Sequence, residues 1–221
     1  MRRTLCSLAL LALLGGCTTA PLVSVPEQPT ASASAFPCPE FNRGGSPSPQ
    51  PSVHSGRVQV GRVSYPTAPA PFSAAGNDVY IPFANLVGSQ TASVEQGTQS
   101  SMGWDSVVTL ARLSSVDGAW GGPRAAEVVS QCSLSMTWRG IDYHPTVSRD
   151  EAITVDGHDA WIRITDLSFT VPGITATSEV QTVIIVQLPE ESYTYLSYLP
   201  NSAPELKPIV DATREGLQVS G

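Results

Sequence analysis

The run Glu151-Ala-Ile-Thr-Val155, Asp156-Gly157, His158-Asp-Ala-Trp-Ile-Arg-Ile-Thr165 decides the fold class. Asp-Gly between two stretches rich in β-branched residues is the strongest short-range signal for a tight hairpin, because both turn positions need positive φ. In the second run Ala160, Ile162 and Ile164 fall on one face, with Trp161 and Arg163 on the other. Alternation of this kind predicts a half-buried antiparallel strand.

Downstream, Thr177 to Leu188 contains Val180, Val183, Ile184, Ile185 and Val186. Nearly continuous β-branched sequence predicts a central strand buried on both faces. Pro189-Glu-Glu-Ser192 turns the chain, and Tyr193 to Leu199 forms a further strand. After Pro200-Asn-Ser-Ala-Pro204 the spacing of Ser202 and Glu205 suits a capping box. A regular helix is expected from Pro208, with Ile209, Val210, Thr213 and Leu217 on its buried face.

Upstream, Pro123 suits the first turn of a helix. Ala125, Val128, Val129, Cys132 and Met136 then recur at helical spacing as far as Trp138. Trp104 to Leu113 reads as a strand, and Gly88 to Ser101 as a polar loop. Val79-Tyr-Ile-Pro-Phe83 suits a short edge piece, since Pro82 has no N–H for a central ladder. A first strand begins near Val58 and ends at Tyr65-Pro66. Strands, a helix, four strands and a helix make an α+β domain: an antiparallel β-sheet flanked by helices. Its expected extent is 56–221.

Ahead of it, residues 17–55 are rich in Pro, Ser, Thr and Ala. Such composition buries little apolar surface and predicts a disordered tether. Phe36-Pro-Cys-Pro-Glu-Phe41 interrupts it, and two aromatics around a cysteine suggest a clip fastened to the domain. Residues 1–16 hold Arg2 and Arg3, an apolar run from Leu5 to Leu14, and two glycines. This order matches an export signal. The run is too short for a mature transmembrane helix. Leu14-Gly15-Gly16-Cys17 resembles the lipobox of bacterial lipoproteins. That resemblance implies cleavage before Cys17, lipidation of its thiol, and anchorage at the extracytoplasmic face of the cell membrane.

The chain has 12 basic and 19 acidic side chains; Arg2 and Arg3 lie in the leader, so the remainder carries 10 against 19, a net of −9. An acidic chain without a basic cluster does not suit nucleic acid or electrostatic docking on anionic lipid. Of four cysteines, Cys6 is in the leader and Cys17 is the lipid site. Cys38 and Cys132 remain, and an even pair in an exported domain reads first as a disulfide. Lys207 is the only lysine, and the abundance of Ala, Gly, Thr and Pro suggests a GC-rich genome, such as an actinobacterium's.

From Ala119 to Val219 the layout resembles the PsbP-like α/β/α sandwich superfamily. The resemblance rests on the helix opening at Gly122-Pro123, the hairpin at Asp156-Gly157, the strands Thr177–Leu188 and Tyr193–Leu199, and the closing helix with its tail Leu217-Gln-Val219. Cys38-Pro39, Gly61-Arg-Val-Ser-Tyr-Pro66 and Trp104-Asp-Ser-Val-Val108 are similar to exported actinobacterial lipoproteins carrying such domains. The resemblance implies a binding or assembly factor and supplies no active-site residues.

Chemistry-bearing motifs are sparse. The histidines are His54, His144 and His158. Asp156, His158 and Asp159 are possible metal ligands by type, but their spacing matches no known cage and Asp-Gly already serves the turn. No G-x-S-x-G, P-loop or G-x-G-x-x-G occurs. Cys132 on an apolar helix face suits a disulfide better than a nucleophile. Neither catalytic residues nor a cofactor are therefore expected. Trp161, Tyr193 and Tyr195 are the candidate binding residues, since rows of rigid aromatics can line a groove, or else pack beneath a helix. The expected function is a non-catalytic, membrane-anchored binding or assembly factor for a cell-envelope protein or ligand. The alternatives are a cell-envelope hydrolase with an unrecognised site, or a carrier of an apolar ligand held between sheet and helix.

Overall fold

Asp156 and Gly157 both take positive φ, 50° and 79°, as a two-residue hairpin of this kind requires. In the computed structural model, which describes residues 38, 49–96, 103–114 and 121–220, this turn joins two strands, β6 (Tyr143–Val155) and β7 (His158–Phe169). They pair in register from Val155↔His158 to Tyr143↔Phe169, with a bulge between Val147 and Arg149. The hairpin is longer than Glu151–Thr165 because its outer strand continues through exposed residues that carry no alternating pattern.

The remaining elements of this sheet are β4 (Ala84–Gln96), β5 (Gly103–Leu113), β8 (Ser178–Gln187) and β9 (Ser192–Pro200). The six strands are antiparallel in the order β4-β5-β9-β8-β7-β6. β8 and β9 occupy the centre, which explains the β-branched run in one and the almost complete burial of both. A second antiparallel sheet joins β1 (Ser52–His54), β2 (Arg57–Val60), β3 (Val63–Pro66) and β10 (Gln218–Val219), in the order β1-β2-β3-β10.

The helices are α1 (Gly122–Thr137) and α2 (Lys207–Glu215). A short 3-10 turn at Pro204–Leu206 leads into α2, and the expected Ser202–Glu205 capping box is replaced by that turn, with no side-chain cap on either segment. α1 lies against β6, β7 and β8 on one face of the large sheet. The small sheet and α2 cover the other face, touching β4, β5 and β9. The domain is thus an α+β sandwich with two separate cores. One holds Val58, Val60, Tyr65, Leu110, Ile184 and Val210. The other holds Ala126, Val129, Leu134, Val183, Ile185 and Leu196 under α1.

Several expectations change. The stretch from Gly88 to Gln96, expected as loop, is the body of β4, and Gln90 explains how a polar strand is buried there. Its side chain accepts from Ala68 N at 2.8 Å and donates to Ala68 O at 3.1 Å and Ser73 O at 2.7 Å, so every polar atom is met. The first strand is instead a hairpin, β2 and β3, turning at Gly61-Arg62. Ser52–His54, expected within the tether, pairs with β2. Val79–Phe83 makes a turn into β4 in place of an edge strand. The leader, Cys17 and the clip other than Cys38 lie outside the described residues.

Candidate functional site

Pairing registers decide which candidate side chains share a face. Trp161 stands opposite Ile185, whereas Ile184 stands opposite Tyr195 and Val186 opposite Tyr193. Trp161 therefore belongs to the α1 face, and the two tyrosines to the face under the small sheet. Tyr193 and Tyr195 are completely buried. The Tyr195 hydroxyl lies 2.9 Å from Thr213 Oγ1 of α2 and donates to Val210 O at 3.3 Å. The Tyr193 hydroxyl accepts from Arg62 N at 3.0 Å and donates to the Glu191 carboxylate. A Cβ at Gly61, where φ is +56°, would run into that hydroxyl. The expected binding row of Trp161, Tyr193 and Tyr195 is thus not a row. Alternation separates the tryptophan from the tyrosines, and both hydroxyls are spent fastening the small sheet and α2 to the large sheet. Trp161 is half-buried, with its indole N–H donating to Asp150 Oδ1 at 2.5 Å.

Cys38 and Cys132 are joined by a disulfide across a sequence separation of 94 residues. Cys132 is completely buried in α1 beside Val128. The histidines of the hairpin are not brought together: His144 pairs near one end of the β6–β7 ribbon and His158 at the other. The residues between them span roughly 35 Å of strand. Asp156 accepts from Val219 N at 2.9 Å, which ties the hairpin tip to β10. No group of three metal-ligating side chains occurs among the described residues. No helix among them is long and apolar enough to cross a membrane.

A recess does form where the C-terminal end of α1 meets β5 and β9. Its larger chamber is about 610 Å³, bordered by Val79, Val107, Ser133, Met136, Leu196 and Tyr198. A smaller one of about 210 Å³, with Trp104, Trp138, Ile141 and Glu179 on its walls, shares Val107, Thr137 and Tyr198 with the first. An apolar hollow of this size with a few convergent polar groups is the ordinary form of a small-molecule site.

Polar side chains border the recess from α1 (Ser133, Ser135 and Thr137), from β5 (Asp105) and from β8 and β9 (Glu179 and Tyr198); behind Tyr198 lies a buried amide. Gln181 accepts from Ser130 Oγ at 2.5 Å and donates to the Tyr198 hydroxyl at 2.8 Å. Glu179, two residues earlier on the strand, is 5 % exposed. Burial pushes its carboxyl from an ordinary 4.5 to about 8; a hydrogen bond from the Trp104 side chain opposes that shift and the Asp105 charge adds to it. Ser133 Oγ and Trp138 Nε1, 3 % and 2 % exposed as residues, have no hydrogen-bond partner among the described residues. Sequence reasoning passed over Glu179, Trp138 and Ser133. The available signal was an acid and an amide, Glu179 and Gln181, inside a strand otherwise read as buried on both faces.

Fold and recess together define an α+β domain with a ligand-sized hollow on its helical side. No protein-family model matches the chain, and no curated protein matches it in sequence. Among solved structures, it is similar to cyanobacterial PsbP from Synechocystis, with 10% identity over 82% of this chain and 98% of that one, at a TM-score of 0.45. It is also similar to the Saccharomyces cerevisiae Ran-binding protein Mog1p, with 10% identity over 72% and 90% and a TM-score of 0.44. A protein of unknown function from Pseudomonas aeruginosa shares 14% identity over 69% and 89%, at a TM-score of 0.37.

Proposed function

We propose that the chain is an exported lipoprotein, held at the extracytoplasmic face of the cell membrane by lipid on Cys17, whose domain acts as a non-catalytic binding or assembly factor. The observation that carries the binding part is the recess beside α1, whose chamber of about 610 Å³ is walled by Val79, Val107, Met136 and Leu196. Of the histidines a hydrolase could use as a base, His144 and His158 stand at opposite ends of the β6–β7 ribbon, and neither borders the recess. The anchor rests on Leu14-Gly15-Gly16-Cys17 and on the cationic and apolar segments before it.

The test is capture from native membranes by the lipidated chain, compared with Met136→Trp, which fills the larger chamber from a half-buried position. The expected result is a molecule or protein that co-purifies with the wild type and is lost with Met136→Trp at unchanged thermal stability. Equal capture by the variant would move the site elsewhere. Turnover of an ester, peptide or glycan by the purified chain would replace the reading with the hydrolase one.

A further inference from the structure

Arg139 follows Trp138, the C-cap of α1, and borders the larger chamber from an exposed position. Its guanidinium makes neither a hydrogen bond nor an ion pair among the described residues. Every other arginine among them, and Lys207, donates from its side chain to an acceptor within the chain. The wall beside Arg139 also lacks an acid. Val79, Val107, Met136 and Leu196 give it apolar surface, and no aspartate or glutamate lines it, although the chain carries 19 acidic side chains against 12 basic ones. The smaller chamber is the reverse: Asp105 and Glu179 line it, and no basic side chain does.

We propose that the larger chamber takes a free single-chain carboxylate, with its hydrocarbon against Val107, Met136 and Leu196 and its head group paired with Arg139. The proposal rests on the recess being the binding site and names what it takes. Burying methylenes supplies affinity, and the unengaged cation selects the head group. The planar guanidinium matches a carboxylate with two parallel N–H donors. An ammonium head group would meet Arg139 with no acid in the wall to receive it. An uncharged head group gains nothing from the cation. A phosphate monoester carries up to about two negative charges, and the chamber offers one cation. An anionic membrane surface is repelled by the acidic excess of the chain, which leaves a free molecule as the occupant. Because Arg139 is exposed, the pair forms partly in water, and its advantage is modest, about fivefold in affinity.

Four probes of equal chain length separate these cases: decanoate, 1-decanol, decylamine and decyl phosphate. Each is titrated calorimetrically, below its micellar concentration, into the full chain bearing Cys17→Ser, and the Met136 methyl resonance is followed by NMR. The expected result is binding of decanoate about fivefold tighter than 1-decanol, with a shift of Met136, and weaker binding of the other two. Arg139→Gln should bring decanoate down to the level of 1-decanol at an unchanged thermal midpoint. Arg139→Lys should restore part of the difference, because an ammonium keeps the charge and loses the paired geometry. If Arg139→Gln does not fold, the wild-type ranking of the probes decides the matter. Equal binding of 1-decanol, tightest binding of decylamine or decyl phosphate, or an undiminished preference for decanoate in Arg139→Gln overturns the carboxylate assignment and leaves the recess as the site. Vesicles of phosphatidylglycerol should leave Met136 unmoved; a shift equal to that from decanoate would make the occupant a membrane surface and overturn the proposal. Failure of all four probes to bind, with Met136 unmoved, also overturns it, whereas the recess itself stands or falls with capture by Met136→Trp.

Discussion

Glu179 is the residue at which burial and chemistry conflict most. Its folded pKa of about 8 lies above the ordinary 4.5, so the native state holds a proton that the unfolded chain releases between those values. For an acid shifted upward, stability is fully present below the unfolded pKa and falls as pH rises to the folded one. The difference in stability between the wild type and Glu179→Gln should therefore grow in favour of the variant from about pH 4.5 to 8, and then level off. Its size should be a few kcal/mol at most. Denaturant titrations of both proteins at several pH values measure it, and parallel pH profiles would contradict it. Tyr195 makes the opposite point. Completely buried and bonded to α2, it should cost about 3–5 kcal/mol when changed to alanine. Trp161→Ala should cost much less, because that side chain is only half-buried. Equal losses by thermal unfolding would show that the burial difference does not govern the energetics. The sequence singled out all three aromatics. What it could not show is the register, because shifting a residue by one position moves it to the opposite face.

At the scale of elements, legibility followed how local the stabilising contacts are. The Asp156-Gly157 hairpin, α1 and the β8 strand were readable because turn chemistry, helical spacing and β-branched runs are local signals. β4 was not, because Ser89 and Gln90 are polar yet 1 % exposed, and Gln90 is satisfied by backbone groups at positions 68 and 73. Contacts supplied from 17 to 22 residues away leave no mark in a local window. The outer half of β6 was hidden for another reason: an edge strand exposed on most of its length has no buried face to impose alternation. α1 depends on a distant partner too. It has no side-chain cap, no acidic residue in its first turn and no basic one in its last, so local devices support its ends weakly. The Cys38–Cys132 disulfide fixes its middle. Replacing both cysteines with serine should lower stability by about 4.7 kcal/mol in the chain-entropy account. It should also shift the signals of Ser133 and Met136, which follow Cys132 on the same helix. A midpoint of denaturant unfolding that stays put would mean that the bond adds nothing to the packing of α1.

At the scale of the whole molecule, the disulfide gives the segment before Cys38 a second covalent route to the domain. If lipid is carried on Cys17, the covalent path to the domain can run either along the chain to β1 or across the bond from Cys38 to Cys132. Between Cys17 and Arg57 the only lysine or arginine is Arg43, which lies on the far side of Cys38 from the lipid. Arg57 itself is engaged in the fold: its guanidinium donates to Ser64 Oγ at 2.9 Å and to Gly216 O at 2.5 Å. Trypsin acting on the membrane-bound chain is thus expected to cut first at Arg43. With the disulfide intact, that cut should leave the domain on the membrane, because the lipidated fragment ending at Arg43 still holds Cys132 through Cys38. Adding a reductant after the cut should release it. Cys17→Ser should leave the chain off the membrane before any protease is added. Sedimentation of membranes followed by immunoblotting of pellet and supernatant reads all three states. Release by trypsin alone would show that the covalent path does not cross Cys38–Cys132. Retention after both trypsin and reductant would show that something other than lipid on Cys17 holds the domain at the membrane.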